Sequence, residues 1–136
     1  MKPWLILSVT LLLSGCSSSP PANLGISNNQ LAPCPNSPNC VSSFASAPDQ
    51  AIRPLNADLQ TIEAVVRTLT EANVIESTGN YLHVEFTSAV FRFVDDVEFL
   101  WDEKANVTQV RSSSRLGYSD LGVNRARVER LRELVE

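Results

Sequence analysis

The 136-residue chain contains one histidine, three cysteines, one methionine and five glycines. So few imidazoles and thiols leave little material for a metal cluster, and neither a metal nor a cofactor is expected. The sequence has no C-x-x-C pair, no Walker loop, no dinucleotide glycine pattern and no G-x-S-x-G elbow. Redox, nucleotide and hydrolase chemistry therefore lack their usual signatures. Basic side chains are outnumbered 11 to 15, giving a formal charge of −4. Without a basic field, nucleic acid is not an expected partner. Long hydrophobic runs are missing as well. Trp4 to Leu13 is apolar except for Ser8 and Thr10, about half the roughly 20 residues of a spanning helix.

That short run follows the positive start Met1-Lys2 and precedes Leu13-Ser14-Gly15-Cys16. A basic start, a short apolar core and small residues read as a secretory signal. Leu-Ser-Gly-Cys resembles the bacterial lipobox, in which the cysteine thiol takes a diacylglyceryl group and the new amino group is acylated too. Residues 1–15 are thus expected to be a lipoprotein signal peptide, with Cys16 carrying acyl chains such as palmitate. Several chains on one residue anchor a protein stably. Ser17 follows the cysteine where an Asp would oppose transport, so the expected location is the outer membrane, facing the periplasm. The 121 remaining residues hold 10 basic side chains, and nine of these are arginine. Arginine offers a planar fork for bidentate pairing with carboxylates.

Residues 16–32 form the expected lipidated tether, because SSSPPANLGISNNQ is rich in Ser, Asn and Pro and has no apolar period. Residues 33–136 form the expected single domain. It opens on Cys34-Pro35-Asn36-Ser37-Pro38-Asn39-Cys40. With Cys16 acylated, two thiols remain in an oxidising compartment, and a Cys34–Cys40 disulfide follows.

Asn56-Ala57-Asp58 can cap a helix, and Leu59, Ile62, Val66 and Leu69 recur at helical spacing as far as about Asn73. Val74 to Ser77 reads as a short strand. Leu82, Val84 and Phe86 alternate with Tyr81, His83 and Glu85 in a second, Tyr81 to Thr87. Asp96 to Trp101 and Val107 to Ser114 pair around a turn at residues 103–106. A final helix from about Leu121 to Val135 offers Val128, Leu131 and Val135 as cover. The expected fold is α+β: an antiparallel β-meander of about four strands packed with two helices, in the order α-β-β-β-β-α.

Charge is segregated. Residues 71–103 hold eight acids and one base, whereas residues 104–136 hold seven bases and four acids, so the two segments are expected to meet. On a strand, Arg111, Ser113 and Arg115 share one face. If that face is buried, the arginines need anions. Asp95, Asp96 and Asp120 supply them from within the chain as an ordering Arg–Asp–Ser network. Alternatively, an external anion is received by Arg111, Ser113, Arg115, Tyr118, Asn124 and Arg125, with Asp95 and Asp96 orienting the arginines. A triad of His83, an aspartate and one of Ser112 to Ser114 can be drawn, but a lone strand histidine is more often a surface residue. Asp95 and Asp96 cannot act as paired acid and base on one strand face, since neighbours point opposite ways.

Ser37 to Ser43 (SPNCVSS), Phe91 to Phe99 (FRFVDDVEF) and Arg111 to Arg132 (RSSSRLGYSDLGVNRARVERLR) resemble the bacterial family known as domain of unknown function 1499. The resemblance covers about 100 residues. It implies a cell-envelope protein, often secreted, lipidated or membrane-attached, and brings no activity or site. The expected function is a non-enzymatic envelope lipoprotein that binds a small anionic ligand or an envelope protein. The alternatives are a small periplasmic hydrolase or transferase using a serine hydroxyl or Asp120, and a purely structural envelope protein.

Overall fold

The structure, a computed structural model, describes residues 19–136. The expected signal peptide and Cys16 lie outside the described residues. Nine elements follow in order: β1 (Ile26–Ser27), β2 (Gln30–Leu31), β3 (Cys40–Ser42), α1 (Leu59–Val66), β4 (Ala72–Ser77), β5 (Tyr81–Thr87), β6 (Val94–Asp102), β7 (Val107–Ser114) and α2 (Val123–Val135). The last five strands form an antiparallel sheet in the order β3-β7-β6-β5-β4, and β1 pairs with β2 in a separate hairpin. The chain is an α+β domain with two helices.

Both helices cover one face of the sheet. Ile62 and Val66 of α1 and Val128 and Leu131 of α2 pack with Leu82, Val84, Phe86, Val97, Phe99 and Val110. These are the positions that the periods of 3.6 and 2 place on common faces. The Asp58 carboxylate caps α1 through the Thr61 N–H at 2.7 Å. The helix ends at Val66, short of the expected Asn73. Thr68 explains the early stop: its hydroxyl donates to the Val65 carbonyl at 2.7 Å, competing with the helical ladder. α2 begins at Val123 instead of Leu121, since Leu121 and Gly122 hold left-handed φ of 54° and 82°.

Two further expectations need correction. The meander gains a fifth strand, β3, which pairs Cys40 with Ser113 and Ser42 with Arg111. All three β3 residues are buried, so no polar alternation marks them as a strand. Part of the stretch read as a free tether is also packed. Leu31 is buried with Tyr81 and Leu100, with Phe44 against them, and the Gly25 N–H donates to the Glu98 carboxylate at 2.7 Å. One buried leucine and one buried acceptor hold that segment despite its polar composition. Cys34 and Cys40 are joined by the expected disulfide, S–S 2.07 Å.

Candidate functional site

The sheet face away from the helices carries charge and is nonetheless buried. Register places Glu85, Asp96, Ser113 and Cys40 in one row across β5, β6, β7 and β3. His83, Glu98, Arg111 and Ser42 form the next. Glu98 is fully buried and His83 is 4% exposed, which corrects the reading of His83 as a surface residue.

Two ion pairs order this face. Glu98 accepts from Arg111 Nη1 at 3.0 Å, from the Tyr81 hydroxyl at 2.8 Å and from the Gly25 N–H. Burial, and then the Glu98 charge, push the Tyr81 phenol well above its ordinary range. Arg115 grips Asp96 with two parallel bonds, Nε to Oδ2 at 2.8 Å and Nη2 to Oδ1 at 2.7 Å, and Nη2 also reaches Glu85. His83 Nε2 lies 2.8 Å from Asp96 Oδ1. Burial alone would raise the Asp96 carboxyl. The bonds and charges of Arg115 and His83 outweigh it and hold the group below the carboxylate range. The same contacts, Asp96 first, hold the Arg115 guanidinium firmly protonated. Arg111 Nε is buried without a hydrogen-bond partner.

Asp95 points the other way, beneath α2. It binds Arg127 Nη2 at 2.5 Å, and that guanidinium lies 5.0 Å from the centre of the Phe86 ring. Arg127 Nη1 also donates to Ser112 Oγ and to Asn124 Oδ1. Asn124, fully buried, accepts from the Ser112 hydroxyl at 2.6 Å. Its amide reaches the Asn39 carbonyl, Ser114 Oγ and Asp120 Oδ2. Asp120 opens α2 by accepting from the Gly122 and Asn124 N–H groups. Burial would raise the Asp120 carboxyl, but these donors hold it low.

The nine candidate residues therefore divide. Arg111, Ser113, Arg115 and Asp96 share the far face, as their spacing predicts. Asp95, Asp120 and Asn124 belong to the network under α2. Arg125 leaves both, tying its guanidinium to the carbonyls of Ala51 and Asp49, and Tyr118 is exposed. Helix and loop positions are not fixed by strand alternation, so the segment from Tyr118 to Arg125 could not be assigned to a face from spacing. Sequence reasoning missed Glu98, Tyr81, Arg127 and Asn39. Glu98 had a signal: it stands two residues beyond Asp96, on the same face. Arg127 had one too, three residues after Asn124 on a helix.

The expected meeting of acidic and basic segments is present in Glu98–Arg111, Asp96–Arg115, Asp95–Arg127 and Glu71–Arg130. Ser112 and Ser114 lie across the sheet from His83, bonded to Asn124, which leaves the drawn triad without geometry for those two serines. Two open depressions of about 430 and 360 Å³ flank Phe44, and none of the nine residues lines either. Among the described residues, no group of three or more His, Cys, Asp or Glu side chains could hold a metal ion. No helix among them is long and apolar enough to cross a membrane.

The family model described as "Protein of unknown function (DUF1499)" matches residues 30–135. No curated protein and no solved structure matches the chain.

Proposed function

We propose that this chain, which belongs to the DUF1499 family, is a lipid-anchored bacterial envelope protein that works as a non-enzymatic interaction module. Acyl chains on Cys16 hold it, and the domain faces the periplasm from the outer membrane. One observation supports the non-enzymatic reading above the others: the charged groups that could serve chemistry are engaged inside the domain. Arg111 is bound to Glu98, Arg115 to Asp96 and Glu85, and Arg127 to Asp95. Freeing one of these groups for a substrate leaves a buried charge without its partner. The same pairing favours an envelope component met at the surface over a small anion held by these arginines.

Native mass spectrometry of the mature protein, released gently from the envelope, tests this reading. The expected result is a chain acylated at Cys16, two hydrogens light for the disulfide, with no other bound mass; Cys16→Ser removes the acyl mass. A co-purifying anionic molecule that Arg115→Ala loses would overturn the reading in favour of a small-ligand site.

A further inference from the structure

Among the described residues, seven of the ten exposed large apolar side chains fall in two segments, with Ile26, Ile75 and Leu134 elsewhere. Val90, Phe91, Phe93, Leu116, Tyr118, Leu121 and Val123 are all at least 49% exposed, and Leu121 reaches 94%. They come from two segments, the β5–β6 turn and the β7–α2 connection. The fold brings both to one end of the sheet: the Arg115 N–H donates to the Val94 carbonyl at 3.4 Å, and Ser114 pairs with Asp95. The turn is closed by Ser88, whose N–H donates to the Phe93 carbonyl at 2.8 Å while its hydroxyl accepts from the Phe93 N–H at 2.9 Å. On it the Phe91 and Phe93 rings stack with centroids 5.6 Å apart.

Charge on this end is sparse, although the exposed Asp49 lines a small depression beside Tyr118. Residues 88–93 and 116–123 hold two charged side chains, Arg92 and Asp120. Arg92 is exposed between the two phenylalanines, whereas both Asp120 oxygens are turned onto the start of α2. In a chain with an acidic excess, this end thus presents apolar groups, a tyrosine and one arginine. That set matches a bilayer interface: aliphatic and phenyl groups below the headgroups, tyrosine at their level, and a guanidinium at the phosphates.

Reach agrees. The described chain meets the sheet where Gly25 binds Glu98. Nine Cα-to-Cα steps lead from Cys16 to Gly25, a span of at most about 32 Å. Four residues of β6, about 13 Å, and the turn beyond them separate Glu98 from the apolar end. A domain tethered through Cys16 can therefore set this end on the membrane that holds it.

We infer that the end formed by Val90, Phe91, Phe93, Leu116, Tyr118 and Leu121 docks on an anionic phospholipid surface, with Arg92 at the phosphates. The inference rests on the anchoring reading above, since one turn and one loop need a tether to stay at the bilayer.

The test uses the mature lipidated protein in phosphatidylethanolamine–phosphatidylglycerol vesicles. Phe91→Trp adds a reporter at an exposed position, and Trp101 in the unaltered protein gives the baseline. The expected result is blue-shifted emission from residue 91, quenched at least twofold by acyl-chain bromine, with Trp101 unaffected. Adding Arg92→Glu is expected to halve the quenching. Vesicles that hold the protein while residue 91 stays unquenched would overturn the inference and leave the anchor standing. A blue shift without bromine quenching, growing with protein density, would assign this end to a second copy or a protein partner and also overturn it. A protein that carries no acyl mass and does not join vesicles would overturn anchoring and inference together.

Discussion

Asp95 and Asp96, neighbours in sequence, serve opposite faces of one strand: Asp95 binds Arg127 beneath α2, and Asp96 binds Arg115 and His83 on the far side. The alternation of β6 thus sends consecutive carboxylates into two separate ion-pair networks. The domain has charged groups buried on both sides of its central sheet, and most of its sensitivity to mutation follows from them.

Asp96→Asn removes the carboxylate that holds the nearly inaccessible Arg115 guanidinium through two bonds. Breaking a buried pair from one side costs about 3–5 kcal/mol. Urea unfolding is expected to show that loss as a lower midpoint at unchanged slope. A midpoint equal to that of the unaltered protein would mean that the bidentate pair contributes nothing.

Asp96 and Asp120 are both held below their ordinary range. A depressed folded-state pKa contributes stability that is fully present above the unfolded value, near 4, and is lost as pH falls through the folded one. Thermal unfolding should therefore show a decline in stability below about pH 4. The gap between the unaltered protein and Asp96→Asn should narrow over the same range. A gap that stays constant down to pH 2.5 would contradict the assignment.

Glu98 and Arg111 should behave as a coupled pair. Glu98→Leu strands Arg111, and Arg111→Met strands Glu98, each a large loss. In the double variant neither charge is stranded, so its cost should fall short of the summed single costs by about 1–3 kcal/mol. The double variant remains below the starting stability because Tyr81 and Gly25 lose their acceptor. Strict additivity in denaturant midpoints would show that the two side chains do not interact.

Asn124 links α2 to β7 and to the Asn39 carbonyl. Asn124→Ala takes away the acceptor of the buried Ser112 hydroxyl and leaves the Asn39 carbonyl with the Ser114 N–H alone, at an expected cost of about 1–3 kcal/mol. Asp120→Ala, which removes the acceptor of the Gly122 and Asn124 N–H groups at the helix start, should cost about 1 kcal/mol. Equal losses in the two variants would mean that the helix start, and not the buried bridge, sets the cost.

The disulfide closes a loop with six residues of sequence separation. Loop entropy assigns it about 2.4 kcal/mol. Reduction under native conditions should lower the unfolding free energy by about that amount, read as a lower midpoint at unchanged slope, while leaving the far-ultraviolet spectrum unchanged. Loss of the folded spectrum on reduction would show that β3 depends on the bridge for its place.

Sequence periodicity revealed the apolar half of this fold and misjudged its polar half. Leu82, Val84 and Phe86 alternate as a strand must, and Val128 and Leu131 recur as a helix must, because one side of each element faces a core. Cys40 to Ser42 carry no such mark, being buried on both sides. Arg111, Ser113 and Arg115 were legible as one face because strand spacing is strict. Asn124 and Arg125 were not, since a helix turns adjacent residues by about 100° and a loop obeys no period. The far face was legible only as an excess of acids meeting an excess of arginines. That excess does not say which pairs form, nor that Gly25 to Leu31 would cover them.

The double burial of β6 also sets a clock for the molecule. From Asp95 to Leu100 every residue is buried, and β5 and β7 flank the strand along its length. Its amide protons can meet solvent only when the whole sheet opens. The edge strand β4 is exposed at Asn73 and again from Ile75 to Ser77, and its pairing slips between Val74 and Glu76. Hydrogen exchange will therefore grade across the sheet, fast and local at β4 and slow and global at β6. The two aspartates sit in the last part of the protein to yield.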